Sequence, residues 1–174
     1  PLEYLEKMGI MEGYGDGKLY PERTITRAEF AKILVKAFPD SMVTEGKIQF
    51  DDLKKSHWAY DYVQKAANAG WINGFEDGTF CPDDNITYEQ ALTIMCRIAD
   101  IHMYYGKYPT SYVSAAIDHS ISDGVDALIG ENINRGQAAK LIVNVINYNS
   151  SIKFEYEDYD GTANKSSGVF YGFG

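Results

Sequence analysis

Three stretches of the chain share one apolar spacing. Phe30, Ile33, Leu34 and Ala37 stand at positions i, i+3, i+4 and i+7, as do Ala91, Ile94, Met95 and Ile98, and again Ala138, Leu141, Ile142 and Val145. That spacing lays an apolar stripe along one face of a helix. Each stripe follows a helix-start signal in which a Thr or Asn cap precedes a Glu or Gln by three residues: Thr26/Glu29, Thr87/Gln90 and Asn134/Gln137. Ahead of the second stripe, Trp58, Tyr62, Ala66 and Ala69 mark a further helix, and Gly70 ends it where a left-handed residue costs least. Between these two helices, Asp77-Gly78 supplies turn chemistry and Pro82 a stop. Near the end the pattern changes: "IKFEYEDY" alternates apolar and polar residues, the period of a short strand.

The stripes belong to longer repeats. "GIMEGYGDGKLYPERTITRAEFAKILVKAF" from Gly9 aligns without a gap on "GWINGFEDGTFCPDDNITYEQALTIMCRIA" from Gly70, at an offset of 61 residues. "INRGQAAKLIVNVI" from Ile133 matches "ITYEQALTIMCRIA", and "YVSAAIDHSISDG" matches "YVQKAANAGWING", but the third loop, "VDALIGEN", lacks the Asp-Gly-x-Phe-x-Pro pattern. A single helix–loop–helix of about 50 residues buries too little surface to stand alone. The expected fold is therefore mainly α: three helix–loop–helix repeats packed as a pseudo-threefold bundle, with a short strand in the C-terminal tail. The expected divisions are 1–49, 50–101, 102–149 and a tail or linker at 150–174. The first copy lacks the opening seen in "FDDLKKSHWAYDYVQKAANAG", and the missing part is expected upstream of Pro1 unless the terminal copy is naturally short.

Composition narrows the function. The 174 residues are 45% hydrophobic and 24% charged, as in a folded domain, and no apolar run reaches the length of a membrane span. The formal net charge of −9 argues against a general nucleic-acid binder. The charge is uneven: residues 1–49 carry 7 basic and 8 acidic residues (−1), and residues 50–101 carry 4 and 9 (−5). Cys81 and Cys96 have no CxxC spacing and make no metal case. Two unpaired thiols are the first expectation and a disulfide the second. Asp16 and Asp77 invite a calcium reading, yet "GYGDGKLYPE" lacks the alternating carboxylates and terminal Glu of a calcium loop. His57, His102 and His119 show no ligand spacing; His57, at a helix start, reads as a surface cap. No catalytic constellation and no cofactor motif is present.

These residues resemble the S-layer homology domain, a module usually found in threes. The second copy shows "FDD", "HWA", "GWINGFEDGTFCP" and "ITYEQA", the first "GIMEGYGDGKLYP" and "ITRAEFA", and the degenerate third only the first-helix pattern and "INRGQAA". The resemblance covers about residues 1–149. It implies a non-catalytic module, extracellular on a bacterial cell wall or S-layer. The implied ligand is a secondary cell-wall polysaccharide, often pyruvylated, bound in grooves between repeats with the arginine of T-R-A-E central. Trp58 matches the family's groove-lining tryptophan, although its helical stripe also makes it a core candidate.

Arg27 breaks a local rule. It follows the Thr26 cap as the first helical residue, where a cation is unfavourable by about 0.3–1 kcal/mol against the helix dipole. The third copy repeats the choice with Arg135. One reading is an anion site, with free N–H groups at the helix start and a bidentate guanidinium receiving a carboxylate. The other is a loop fastener paired with Asp16 or Glu22. In the second copy Tyr88 replaces the arginine, leaving a phenol that would stack on a sugar ring. Gly13, Gly74 and Gly124 serve turn geometry and leave bare backbone where a sugar would approach. Trp71 reads as interface or core. The candidate ligand-binding set is Arg27, Arg135, Gly13, Gly74, Trp58, Asp16, Asp77 and Tyr88. A second functional class is a protein–protein or lattice-assembly module that docks another surface protein through its aromatic surface, 14 tyrosines among it.

Overall fold

A computed structural model describes residues 1–39, 48–102 and 106–157; for 153–157 it gives the backbone alone. Six helices follow in order: α1 (Leu2–Lys7), α2 (Arg27–Ala37), α3 (Tyr60–Asn68), α4 (Tyr88–Ile98), α5 (Thr110–Asp118) and α6 (Arg135–Glu157). They form three helix–loop–helix units: α1–α2, α3–α4 and α5–α6. The second helix of each unit packs on the first helix of the next: α2 on α3, α4 on α5, and α6 back on α1. The bundle therefore closes on itself with pseudo-threefold symmetry.

Backbone hydrogen bonds fix that closure. Just before α2, α4 and α6 the chain is extended, and three isoleucines meet there. The Ile25 amide donates to Ile133 O (3.3 Å), Ile133 to Ile86 O (3.1 Å) and Ile86 to Ile25 O (3.1 Å). All three side chains are fully or almost fully buried. Isolated antiparallel bridges, Thr24 to Asn134, Thr26 to Asn85 and Thr87 to Asn132, surround this triangle. Each isoleucine amide at the axis thus finds its acceptor in another unit, as buried backbone requires.

The apolar stripes fill the centre as their spacing predicts. Phe30, Leu34, Ala91, Met95, Ala138, Leu141, Ile142 and Val145 are all buried. The caps also form. Thr26 and Glu29 exchange bonds in both directions, as do Asn134 and Gln137. Gly70 takes the left-handed conformation expected of it, φ +75°. Trp71 is core, edge-on to Phe38.

Several expectations change. Trp58 is 54% exposed and no part of the core. α3 begins only at Tyr60, so Trp58 lies in the preceding turn, and the buried face is Ala59, Val63, Ala66 and Ala67. The strand expected from "IKFEYEDY" gives way to helix: α6 runs unbroken to Glu157, so intrahelical bonding continues through the alternating segment. The remainder of that tail lies outside the described residues. Both cysteines are free thiols rather than a disulfide. Cys96 is buried against Tyr112 O, and that burial pushes its pKa up to about 12.

Candidate functional site

The start of each second helix lies over the loop of the following unit. The Arg27 amide donates to Asp84 O (2.8 Å) and the Ala28 amide to Pro82 O (3.0 Å). The Arg135 and Gly136 amides donate to Arg23 O and Pro21 O, both 2.9 Å, and the Tyr88 amide to Glu131 O (2.8 Å). The helix-start amides expected to face a ligand are therefore spent on neighbouring loops. What remains for a ligand is side-chain chemistry at the three junctions between successive units (the first, second and third grooves, in chain order), of which the first opens as a cavity.

The first groove lies between units one and two. It has a volume of about 290 Å³ and an apolar floor that includes Phe30, Phe80 and Ile94. Arg27 enters it from α2. Its Nε donates to Phe80 O (2.7 Å), and its Nη1 to Gln90 Oε1 (3.1 Å). The guanidinium carbon stands 4.7 Å from the ring centroids of both Phe75 and Phe80. Arg27 is only 8% exposed, yet among the described residues no carboxylate forms an ion pair with it. The fastener partners expected from sequence are elsewhere. Asp16 accepts from the Lys18 amide and the Tyr20 hydroxyl, and Glu22 lies near Asn134 Nδ2. Burial lowers the Arg27 pKa from its ordinary value, while Cys81, Asp84, Tyr108 and Asp52 act at a distance to raise it. An arginine remains charged throughout the physiological range, so the groove holds a desolvated cation.

The third groove, between units three and one, is built on the same plan with a different outcome. Arg135 Nε donates to Leu19 O (2.9 Å), Nη1 to Tyr14 Oη (3.2 Å) and Nη2 to Glu12 O (2.7 Å). All three nitrogens are engaged, the ring of Tyr14 lies 4.8 Å away, and Arg135 is 4% exposed. Beside it, the Glu12 carboxylate pairs with Lys32 (3.0 Å) and Lys36. Those lysines hold the Glu12 pKa down at about 2. In the second groove the buried Tyr88 phenol, bonded to Ser122, takes the arginine's place. Next to it the Glu89 carboxylate receives the Gly130 amide at 2.8 Å.

The other candidates are dispersed. Gly74 lines the first groove; a Cβ there would stand 2.5 Å from both Phe50 and Thr79 O. Gly13 is similarly tight, 2.9 Å from Lys18 O. Close backbone approach in the loop explains both glycines. Asp77 accepts from the Thr79 amide and hydroxyl, so it and Asp16 organise exposed turns, and these bonds keep both carboxyls below their ordinary pKa. Trp58 packs on His57 outside the first groove, with ring centroids 5.7 Å apart. His57 Nδ1 accepts from the Ala59 amide within the turn before α3, which has no side-chain cap. Among the described residues no His, Cys, Asp or Glu cluster suits a metal ion.

Three contributors escape the motif reading. Asp52, from the "FDD" opening, receives the Phe80 (2.8 Å) and Cys81 (2.7 Å) amides and so sets the loop whose carbonyl holds Arg27. Arg97 and Tyr108 line the first groove. Arg97 is hidden in sequence because a cation in a last helical turn is what the helix dipole favours anyway. Tyr108 sits in a connecting stretch with no motif.

The S-layer homology domain family matches residues 1–31 and 49–92. The chain carries S-layer homology repeats. Unit three lies outside those matches, and its cap and axial hydrogen bonds join it to the same bundle. A surface layer protein of Brevibacillus choshinensis is 28% identical over 165 residues, 92% of this chain and 14% of that protein. A cellulosome-anchoring protein of Acetivibrio thermocellus is 33% identical over 100 residues, 55% of this chain and 22% of that protein. An exoglucanase of Acetivibrio thermocellus is 32% identical over 123 residues, 70% of this chain and 11% of that protein. The chain thus spans a small part of the length of each of these relatives. Among the described residues no helix is long and apolar enough to cross a membrane.

Proposed function

We propose that this chain is a non-catalytic anchoring module that holds a bacterial surface protein to the cell wall by binding an anionic secondary cell-wall polysaccharide. The relatives, a surface layer protein and a cellulosome-anchoring protein, support the module's place at the cell surface. The exoglucanase among them fits a module shared by proteins of different activity. The observation that carries the ligand reading is Arg27: a cation 8% exposed, with no ion pair among the described residues, in an open groove floored by aromatic rings. A buried charge without a partner is costly, and a ligand carboxylate would supply the partner. A ketal-linked pyruvate on a sugar has that carboxylate, and the sugar's apolar face suits Phe75. In this reading Arg27 is the ligand-binding arginine, Gly74 and Phe75 form the wall beside it, and Arg135 holds the loop of unit one.

The test is a pulldown with purified cell walls, before and after acid removal of the polysaccharide, beside Arg27→Gln. Binding lost with the polysaccharide and with Arg27 supports the reading; binding that survives both removes it. Survival would favour the second reading, a protein-docking module. The exposed Leu128 and Ile129 in the loop of unit three favour that alternative.

A further inference from the structure

The first groove holds a second cation, at a repeat position where the other two units carry Lys36 and Asn144. Arg97 projects from the last turn of α4 and lines the same groove as Arg27. Its Nη1 donates to Trp71 O (3.2 Å), and its guanidinium lies 5.7 Å from the Tyr112 ring centroid, so the side chain is positioned. Among the described residues no carboxylate pairs with it. The equivalent positions in the other units differ. Lys36 is neutralised by Glu12, and Asn144 is uncharged, donating to Ile121 O and Asp123 O. The residue equivalent to Glu12 in the first groove is Asn73, also in the groove lining, so the built-in counter-charge is missing there.

Tyr108, from the segment leading into α5, is the third component. It lines the groove while 57% exposed, and its phenol feels the Glu89 carboxylate as well as the charges of Arg27 and Arg97. Thus unit one supplies Arg27, unit two supplies Arg97 and the segment entering unit three supplies an aromatic face.

We infer that Arg97 and Tyr108 complete the anion site of the first groove, so that a saccharide carboxylate is shared by two guanidiniums while its sugar ring lies against the Tyr108 phenol. The inference rests on the anchoring reading and deepens it. Both guanidiniums line one pocket, and a carboxylate bound there would take charge-assisted hydrogen bonds from each. An aromatic face at the rim suits a pyranose better than a bare inorganic anion.

Titration calorimetry on the whole chain tests this with two probes: a methyl hexopyranoside bearing a 4,6-linked pyruvate ketal, and its neutral methyl ester. Arg97→Gln is expected to weaken the carboxylated probe at least tenfold and to leave the ester nearly unchanged, with Arg97→Lys recovering much of the loss. Tyr108→Ala is expected to weaken both probes several-fold, and Tyr108→Phe neither. If Arg97→Gln binds as the parent while Arg27→Gln does not, Arg97 has no part in the site and the anchoring reading stands. If Arg27→Gln also binds as the parent, the anchoring reading falls and takes this inference with it. Equal binding of inorganic phosphate and the carboxylated probe removes the role of Tyr108. Should the Arg97 variants unfold, the guanidinium Nε–H resonance of Arg97 in the parent chain decides: a shift on adding the carboxylated probe but not the ester supports the contact, and no shift overturns it.

Discussion

Arg27 and Arg135 occupy the same place in two copies of one motif, yet they meet different surroundings. Arg135 spends Nε, Nη1 and Nη2 on the loop it covers, and the nearby lysines are matched by Glu12. Arg27 spends two nitrogens, one on a backbone carbonyl and one on Gln90, and its neighbour Arg97 has no matching acid among the described residues. In one groove all three guanidinium nitrogens are engaged; in the other, two are. A motif arginine therefore does not define a ligand site by itself. Saturation of the guanidinium decides that, while the residue opposite, Asn73 in one groove and Glu12 in the other, sets whether the second basic side chain has a carboxylate partner.

The largest effect expected from this contrast is on Arg27→Gln. Loss of a desolvated, ligand-paired guanidinium costs about 2–5 kcal/mol of binding, so affinity for the carboxylated saccharide should fall thirtyfold or more by calorimetry. Folding stability should change little, because removing the charge also removes an unpaired burial cost. Arg135→Gln should do the reverse. It leaves Leu19 O, Glu12 O and the Tyr14 hydroxyl without their donor, an expected loss on the order of 2–4 kcal/mol in denaturant unfolding, while the first groove binds as before. Equal behaviour of the two variants in both assays would erase the distinction.

A smaller effect is expected one step back from Arg27. Asp52 receives the Phe80 and Cys81 amides and so fixes the carbonyl that Arg27 Nε uses. Asp52→Ala should lower stability by about 1–2 kcal/mol and weaken saccharide binding several-fold through misplacement of the loop. The third groove, whose loop belongs to unit one, should keep its structure. Amide hydrogen exchange at Phe80 and Arg135 separates the two: only Phe80 should lose protection.

Much of this architecture is legible in the residues. The stripes ending at Ala37, Ile98 and Val145, together with the three cap pairs, specify helices whose apolar faces must meet, because periodicity and capping are local properties. The site is less legible because its partners come from different units. Nothing near Arg27 in sequence announces Phe80 O, Gln90, Arg97 or Tyr108, and proximity along the chain points instead to Asp16 or Glu22. Helix-start amides read as free for the same reason: their acceptors, Asp84 O, Pro82 O and Arg23 O, lie one unit away. Trp58 adds a fourth member to an apolar spacing whose buried face begins one residue later, at Ala59.

The smallest predicted effect is also the most discriminating. Ionised Glu12 is stabilised by Lys32 and Lys36, which lower its pKa from an unperturbed 4.5 to about 2. A carboxylate depressed in the folded state adds stability above its unfolded pKa and loses it as pH falls through the folded value. The contribution should therefore be whole above pH 4.5 and fade between pH 4.5 and 2. Because the pair is solvent-exposed, it amounts to less than about 1 kcal/mol and shrinks further in high salt. Glu12→Gln should abolish this part of the pH dependence in unfolding measurements at pH 6 and pH 3. It also uncovers two lysines beside Arg135. If a bare cluster of positive charge were enough for an acidic saccharide, the variant would bind two equivalents. Arg135 remains tied by all three nitrogens to the loop beneath it, so calorimetry should still count one site per chain; a second site of similar affinity would show that Glu12, rather than saturation of the arginine, closes the third groove.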